Sequence, residues 1–474
     1  MTINILAPIM VGRLLGAEGV GEWTLLVAAG TLLHTALINW THTSTVRFGT
    51  EEWTAGHSLN RTLGSRLPLL AMSIVVAGIL LVAQPGLWLE RWFSTSPSDR
   101  WLVALAAISV WFAAEAQAAL QAAGRIIWQA TMAPVVAIAS MAALTGLFVS
   151  GQSSLTLTVV AFAAPPILGW GAVWTYNLAR SQTRLQLLAI DDTWRHLRYA
   201  APVLPAFALG YLSDWGDHLL LSRYSTVTEV GLFGIAYQGM VTTMSASGVL
   251  VTMLLPRLIA AEMARPGSMR TYVEEEVPTL YSLWMLGTIW VVAVLPLAVG
   301  SFAGPRFNES VGLLLVLLIV VPSSVAASLY TVLFSVQQRM GRVLVFLLVM
   351  AVINLGLSRQ LIPVYGALGA AIGTVVSYLV YQACYIQDQH RILAVSPRRI
   401  WILWSAGLVV GVSQFAVGVD VAVRLAWAVA ATAGLIAIIR LARCADAALL
   451  CRLLAAHPSL GQLAARVLAP GTAY

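Results

Sequence analysis

Ionisable and polar side chains set in otherwise apolar runs are where this sequence offers chemistry. Asp214, Asp217 and His218 follow at i, i+3 and i+4, a spacing that puts all three on one face of a helix. Such a face can take up protons or cations, or contact sugar hydroxyls; the plainer reading is an interfacial cluster paired with Arg223. Glu115 is the only charge in the run from Trp101 to Gly124, with Gln117 and Gln121 for neighbours. It reads either as a group in a wet cavity or as a hydrogen-bonded helix-packing residue. His34, Asn39, Thr41, His42, Thr43, Ser44, Thr45 and Arg47 crowd one stretch, a density that argues for a water-facing surface. Arg13 and Arg47 carry the planar donor fork that grips phosphate oxygens in pairs; helix-end anchoring is the equal alternative for Arg13. No His, Cys or carboxylate spacing matches a metal site. A chain without Lys cannot hold the Gly-rich loop and Lys that cradle nucleotide phosphates. Neither a cofactor nor catalysis is expected.

These side chains must be held by elements that lie in a bilayer. Of 474 residues, 59% are hydrophobic and 10% charged, with a mean hydropathy of +0.83. A soluble domain carries roughly 25% charged residues, and so apolar a chain cannot cover a folded surface with polar groups. An all-α integral membrane protein is expected. Charge-free runs at 67–89, 230–256, 277–305, 310–338, 360–387 and 400–419 each match the ~20 residues of one crossing. The run 126–179 holds two helices broken at the polar turn 151–154. With 1–11, 20–46, 101–124, 199–222, 343–358 and 426–439, the count reaches about fourteen. Residues before Arg13 are too few for a full crossing, so a clipped first helix or a start further upstream is expected.

With a cytoplasmic N-terminus, twenty of the 27 basic residues fall in inside loops and the tail and seven fall outside, among them Arg13, Arg359 and Arg424. Arg66 counts with the inside loops. That asymmetry is the one membrane insertion imposes, and it accounts for the net charge of +7 without a nucleic-acid partner. Cys384, Cys444 and Cys451 lie at or beyond helix ends predicted to face the cytoplasm, so no disulfide is expected. The longest polar linker, from Ala179 to Tyr199, reads as a cytoplasmic joint between halves.

The halves resemble each other. Arg13, Val20, Gly21 and Trp23 match Arg223, Val230, Gly231 and Phe233 at an offset of 210. Gln121 to Arg125 matches Gln338 to Arg342 at an offset of 217, and Arg91-Trp-Phe93 has a counterpart in Arg306-Phe307. The predicted organisation is therefore an N-lobe over 1–180, a cytoplasmic linker over 181–198, a C-lobe over 199–390, and a thirteenth and fourteenth helix with a cytoplasmic tail over 391–474. Six helices per lobe is an even number, so both lobes enter from the same side and a pseudo-two-fold axis runs along the membrane normal. Transporters with such halves hold substrate between them and rock.

Arg13-Leu-Leu-Gly16, followed by Gly19-Val-Gly-Glu-Trp23, resembles the opening of the polysaccharide flippases. These translocate O-antigen and exopolysaccharide lipid-linked oligosaccharides and belong to the MATE-like multidrug/oligosaccharidyl-lipid/polysaccharide superfamily. Val230-Gly-Leu-Phe-Gly-Ile-Ala-Tyr237 is similar to a second segment of that family. Asn354 to Leu357, then Leu361-Ile-Pro-Val-Tyr-Gly-Ala-Leu-Gly-Ala-Ala371, resembles a third and the most specific one, although Ser358 stands where the family pattern has Asn. The resemblance covers about residues 1–390 and implies twelve core helices. It implies a flippase that moves a polyprenyl-pyrophosphate-linked oligosaccharide across the bacterial cytoplasmic (inner) membrane by alternating access, for surface-polysaccharide biosynthesis. Both termini would be cytoplasmic. The partners implied are the lipid-linked oligosaccharide, membrane lipids, and a polysaccharide polymerase with glycosyltransferases. Arg13, Asn39, Arg47, Glu115, Asp214 and Asp217 are the expected substrate-binding residues, and Asp214, Asp217 and His218 the ion-coupling candidates. Two alternatives stand beside it. The acidic cluster leaves open a MATE-type multidrug or cation exporter. A membrane glycan polymerase or ligase would share the hydropathy, but its usual large outside loop is missing.

Overall fold

The computed structural model describes residues 2–83, 86–93, 96–180, 190–418, 420–446, 449–451 and part of 462–469. Arg184, Arg452 and most of the expected tail lie outside the described residues. Within those residues the chain is helical and has no strand. In order come α1 (Thr2–Leu37), α2 (His42–Gly56), α3 (Asn60–Ala83), α4 (Arg100–Ala122), α5 (Ile126–Val149), α6 (Leu155–Arg180), α7 (Ile190–Ala200), α8 (Leu204–Tyr224) and α9 (Val227–Ser245). Then follow α10 (Gly248–Ala264), α11 (Val277–Ala303), α12 (Asn308–Leu317), α13 (Val325–Val336), α14 (Met340–Tyr365), α15 (Ala367–Leu393), α16 (Arg398–Ser413) and α17 (Val421–Leu441).

Among the described residues, ten helices are long and apolar enough to cross a membrane, and the stretch from Pro305 to Val336, bent by 45°, makes an eleventh. The protein is an all-α, multi-pass membrane protein. The difference from fourteen has local causes. The expected spans 1–11 and 20–46 run together in α1, broken only at Gly16, whose φ of +75° belongs to glycine. The expected span 230–256 divides into α9 and α10. Neither α8, which carries Asp214, Asp217 and Arg223, nor α9 is apolar enough to be counted. Several Arg assignments to loops are corrected as well, among them Arg13, which lies inside α1. Arg66 lies inside α3 and is buried; Arg359 lies inside α14; and Arg424 lies in the first turn of α17. Arg424 is buried where its guanidinium donates to the carbonyls of Gly418, Val292 and Ala293 at 2.7, 2.9 and 3.2 Å.

The chain forms two compact units. The first holds residues 1–235 with 362–367. In it α4 packs on α1, α2 and α6, and α6 also packs on α5. Repeat-matched glycines meet here: a Cβ on Gly21 would overlap the carbonyl oxygen of Val227, and one on Gly231 would overlap that of Ala17. Small residues let membrane helices approach to backbone contact, which explains why Val-Gly recurs in both halves. Gly366, with φ +55°, makes the turn between α14 and α15, and the Glu229 carboxylate fills the space its Cβ would need. The same carboxylate accepts the N–H of Ala367, and so caps the first turn of α15, where an anion is favoured.

Part of the expected linker is also folded. Residues 190–200 form α7, which buries Thr193 and His196 against α3 and α2 of the same unit. Thr193 donates to the Ser65 carbonyl at 2.8 Å, Ser44 contacts His196 Nδ1 at 2.9 Å, and Arg61 pairs with Asp192.

The second unit holds residues 236–361 and 368–474. Its core gathers Tyr281, Tyr330, Phe334 and Tyr385 from α11, α13 and α15, with α16 and α17 packed around them. Gly411 brings α16 against the backbone of Ile319. Gly373 of α15 leaves the space that the Ser358 hydroxyl occupies, and that hydroxyl reaches Asn354 Oδ1 at 3.3 Å. The Ser in place of Asn thus sits against Gly373 of α15.

Replacing Gly231 by Ala puts a methyl group into the Ala17 carbonyl, and only a backbone shift can relieve it. Overpacking of this kind costs ~1–3 kcal/mol. The variant is expected to unfold at a lower temperature than wild type in detergent, whereas Gly434→Ala, in open space on α17, is expected to leave the midpoint unchanged.

Candidate functional site

Thr31, Thr35 and Asn39 recur at four-residue spacing, one stripe down α1 into the short 3₁₀ turn Asn39–Thr41 that leads to α2. On α8, Phe207, Gly210, Tyr211, Asp214 and Trp215 form the matching stripe. The two stripes line a cleft of about 330 Å³. Its wall offers two hydroxyls, an amide, a carboxylate and an indole. Trp215 lies stacked near Tyr211, ring centroids 6.5 Å apart and planes 28° apart. The Tyr211 hydroxyl donates to the Ala28 carbonyl at 3.0 Å, which ties α8 to α1. A few placed polar groups on an otherwise apolar wall are the usual make-up of a ligand pocket.

Behind Asn39 stands a buried charge cluster. Arg66 of α3 and Glu115 of α4 are 1% and 3% exposed. The guanidinium forks onto the carboxylate, Nε to Oε2 at 2.9 Å and Nη2 to Oε1. Its remaining nitrogen, Nη1, donates to Thr41 Oγ1 and to the Thr41 carbonyl at 2.8 and 3.2 Å. His42 completes the group, with Nε2 at 3.0 Å from Glu115 Oε1 and Nδ1 at 3.2 Å from Asn39 Oδ1. A charge in the bilayer centre costs ~2.5–3.5 kcal/mol on insertion scales, so each needs a partner; here each charge has one. Glu115 also lines a larger apolar groove of about 840 Å³ between α3, α4 and α6.

The structure sorts the expected site residues. Asn39 and Asp214 line the cleft together. Glu115 does not line it, but reaches it through His42 and Asn39. Asp217 and His218 are buried, 2% and 3% exposed, so the three-residue face of α8 is divided between cleft and interior. The His218 ring packs 5.4 Å from Trp215 and 5.1 Å from Phe233. Arg13 is exposed on α1 before the break at Gly16. Arg47 is exposed on α2, its guanidinium 4.9 Å from the Tyr199 ring centroid and its Nε 3.5 Å from Glu51. Neither Arg is among the residues that line the cleft. Among the described residues, no cluster of three His, Cys, Asp or Glu side chains is placed to hold a metal ion.

Arg66, Thr31, Thr35, Tyr211 and Trp215 are participants that the sequence alone did not single out. The charge-free run begins at Leu67, so Arg66 fell to a loop, although α3 begins at Asn60. The lone Glu115 was the usable signal, since it demands a cation within reach.

No protein-family model matches the chain, and no curated protein matches it. The fold is similar to that of a solved structure described as "Lipid II flippase MurJ, inward closed conformation", with a TM-score of 0.73. The match covers 92% of this chain and 96% of that one at 11% sequence identity, a level at which the likeness speaks for the fold.

Two expectations follow. Removing one partner of a buried pair leaves an unpaired charge and costs ~3–5 kcal/mol. Glu115→Ala is therefore expected to unfold well below wild type in detergent, and joint Arg66→Met with Glu115→Leu to regain part of that loss. His196, outside the spans, is held down to about 4 from an ordinary 6.5, first by burial and then by Arg66 and Arg195, with Asp192 opposing. The folded state thus keeps it neutral while the unfolded chain takes a proton. Stability is full above pH 6.5 and is expected to fall by up to ~1.4 kcal/mol per pH unit as the pH drops from there towards 4. A thermal-unfolding series should show that slope in wild type and a flatter one in His196→Gln.

Proposed function

We propose that this protein moves a polyprenyl-pyrophosphate-linked oligosaccharide across the bacterial cytoplasmic membrane by alternating access, for surface-polysaccharide synthesis. The observation that carries the proposal is the cleft between α1 and α8. Thr31, Thr35, Asn39 and Asp214 offer hydroxyl, amide and carboxylate groups to sugar hydroxyls, which both donate and accept. Trp215, stacked near Tyr211, offers the flat apolar surface that the C–H face of a sugar ring takes. The fold likeness to a lipid II flippase and the three sequence segments shared with polysaccharide flippases support the same function.

In this proposal the sugars cross through the cleft while the lipid chain stays in the bilayer. Arg13 and Arg47 serve the anionic pyrophosphate as it approaches, and Asp217 and His218 serve α8 from its buried side. Both termini lie in the cytoplasm, where glycosyltransferases supply the substrate; a polymerase consumes it on the far side. One observation favours a second reading: Asp214 is exposed in the cleft, and a carboxylate there would also suit a cationic compound moved by a MATE-type exporter.

Deleting the gene in its own bacterium separates the two. A flippase deletion is expected to accumulate lipid-linked oligosaccharide on the inner leaflet and to lose surface polysaccharide. Unchanged polysaccharide with raised sensitivity to cationic drugs would favour the exporter and overturn the proposal. In the complemented strain, Asn39→Ala, Asp214→Asn and Trp215→Ala are each expected to cut polysaccharide export by about tenfold, the effect of losing ~1.4 kcal/mol of contact. Membrane levels of the three variants should match wild type.

A further inference from the structure

Both ring nitrogens of His42 face oxygen. Nε2 is 3.0 Å from Glu115 Oε1 and Nδ1 is 3.2 Å from Asn39 Oδ1. A carboxylate oxygen and an amide oxygen both accept, and a neutral imidazole has only one N–H to give, so this arrangement satisfies both contacts only when the ring carries two protons. We propose that His42 is a proton-binding site that sets the hydrogen-bonding character, and hence the anion affinity, of the cleft. The proposal rests on the cleft being the headgroup site.

The coupling runs through one side chain. With His42 protonated, Asn39 turns its oxygen to Nδ1 and leaves its NH2 for the cleft it lines. With His42 neutral and still donating to Glu115, Nδ1 becomes an acceptor, and Asn39 must flip to donate to it. The cleft then meets a carbonyl oxygen where it had an amide donor. The charge changes in step: Arg66, Glu115 and protonated His42 sum to one positive charge, and the neutral ring leaves none. A phosphate-bearing headgroup is favoured by donors and positive charge on both counts, so it binds more tightly to the protonated form. By linkage, its binding then draws a proton onto His42.

The surroundings single out this ring. His34 of α1 lies with its ring centroid 5.5 Å from that of His42, and its Nε2 has no hydrogen-bond partner among the described residues. Arg66 approaches from α3 and Glu115 from α4. From α7 come His196, bonded to Ser44, and Asp192, paired with Arg61. Asp214 of α8 stands on the far wall of the cleft. Among these, Glu115 is the carboxylate that touches a ring nitrogen, and the nitrogen belongs to His42.

The test uses the full chain in lipid vesicles. Solid-state NMR with labelled histidine reads the protons on His42 directly, with Gln in its place to assign the signal. A ring with one proton on each nitrogen at low pH, losing the proton on Nδ1 as the pH rises, is expected. Asn39→Asp, which offers an oxygen in either orientation, is expected to hold the second proton to higher pH and guards against a misfolded His42→Gln. A single-proton ring in wild type from pH 5 to 8 would overturn the proposal. Binding of inorganic pyrophosphate is measured over the same range, with His42→Gln as the baseline that carries the titration of the probe itself. Relative to that baseline, wild-type affinity is expected to fall by up to about tenfold per pH unit through the His42 transition. Parallel profiles would overturn the linkage. If pyrophosphate binds at no pH while His42 still titrates and the Asn39 amide signal shifts with it, the proton switch stands and the pyrophosphate headgroup assignment fails.

Discussion

A buried guanidinium–carboxylate pair organises the first unit. Lipid offers no hydrogen bonds, so a charged helix residue must find its partner inside the protein. Arg66 and Glu115 meet that demand with a two-bonded fork, and Thr41 takes the remaining guanidinium nitrogen. Three segments are thereby fixed at one point: α3, α4 and the turn into α2. The turn in turn sets Asn39, and Asn39 sets one wall of the cleft. Such a pair adds little net stability against an apolar substitute of the same shape, yet it is costly to break. Its value here is positional, because any slip of α3 against α4 strands two charges.

A second constraint is steric. Gly21 and Gly231 bring α1 and the start of α9 to backbone contact, and they occupy matched places in the two halves of the sequence. Tyr211 then pins α8 to the Ala28 carbonyl. The cleft stripes of α1 and α8 are therefore held facing each other by the glycine contact and by Tyr211, itself a member of the α8 stripe. Asn39, Asp214 and Trp215 line that cleft, with the buried charges held one layer behind.

Much of this was legible in the residues. Charge-free runs gave most of the spans, since each crossing of lipid needs its own apolar length. The boundary near residue 360 was misplaced: the expected span 360–387 runs across Gly366, whose φ of +55° makes the turn between α14 and α15. Asn39 and Asp214 were identified as costly intramembrane polar groups, and they share a cleft. What escaped was partnership. Helix spacing groups Asp214 with Asp217 and His218, but only packing reveals that Asp217 and His218 are buried. Arg66 hid because a charge at the edge of an apolar run looks like a loop residue until its distant partner is seen. Trp215 and Tyr211 looked like ordinary aromatic residues of a membrane helix. The linker proved partly helical because Thr193 and His196 find polar partners on α3 and α2, a docking that no local pattern announces.

Direct transport is the sharpest test of the flippase assignment. The protein would be reconstituted in vesicles holding a lipid-linked oligosaccharide from the same bacterium, and a glycosidase added outside would report the fraction of sugar that changes leaflet. Rapid loss of protection is expected with wild type, and slow loss with Asp214→Asn or Trp215→Ala in equal amounts. Transfer no faster than in protein-free vesicles would contradict the flippase assignment, and unchanged transfer in both variants would remove the cleft from the path.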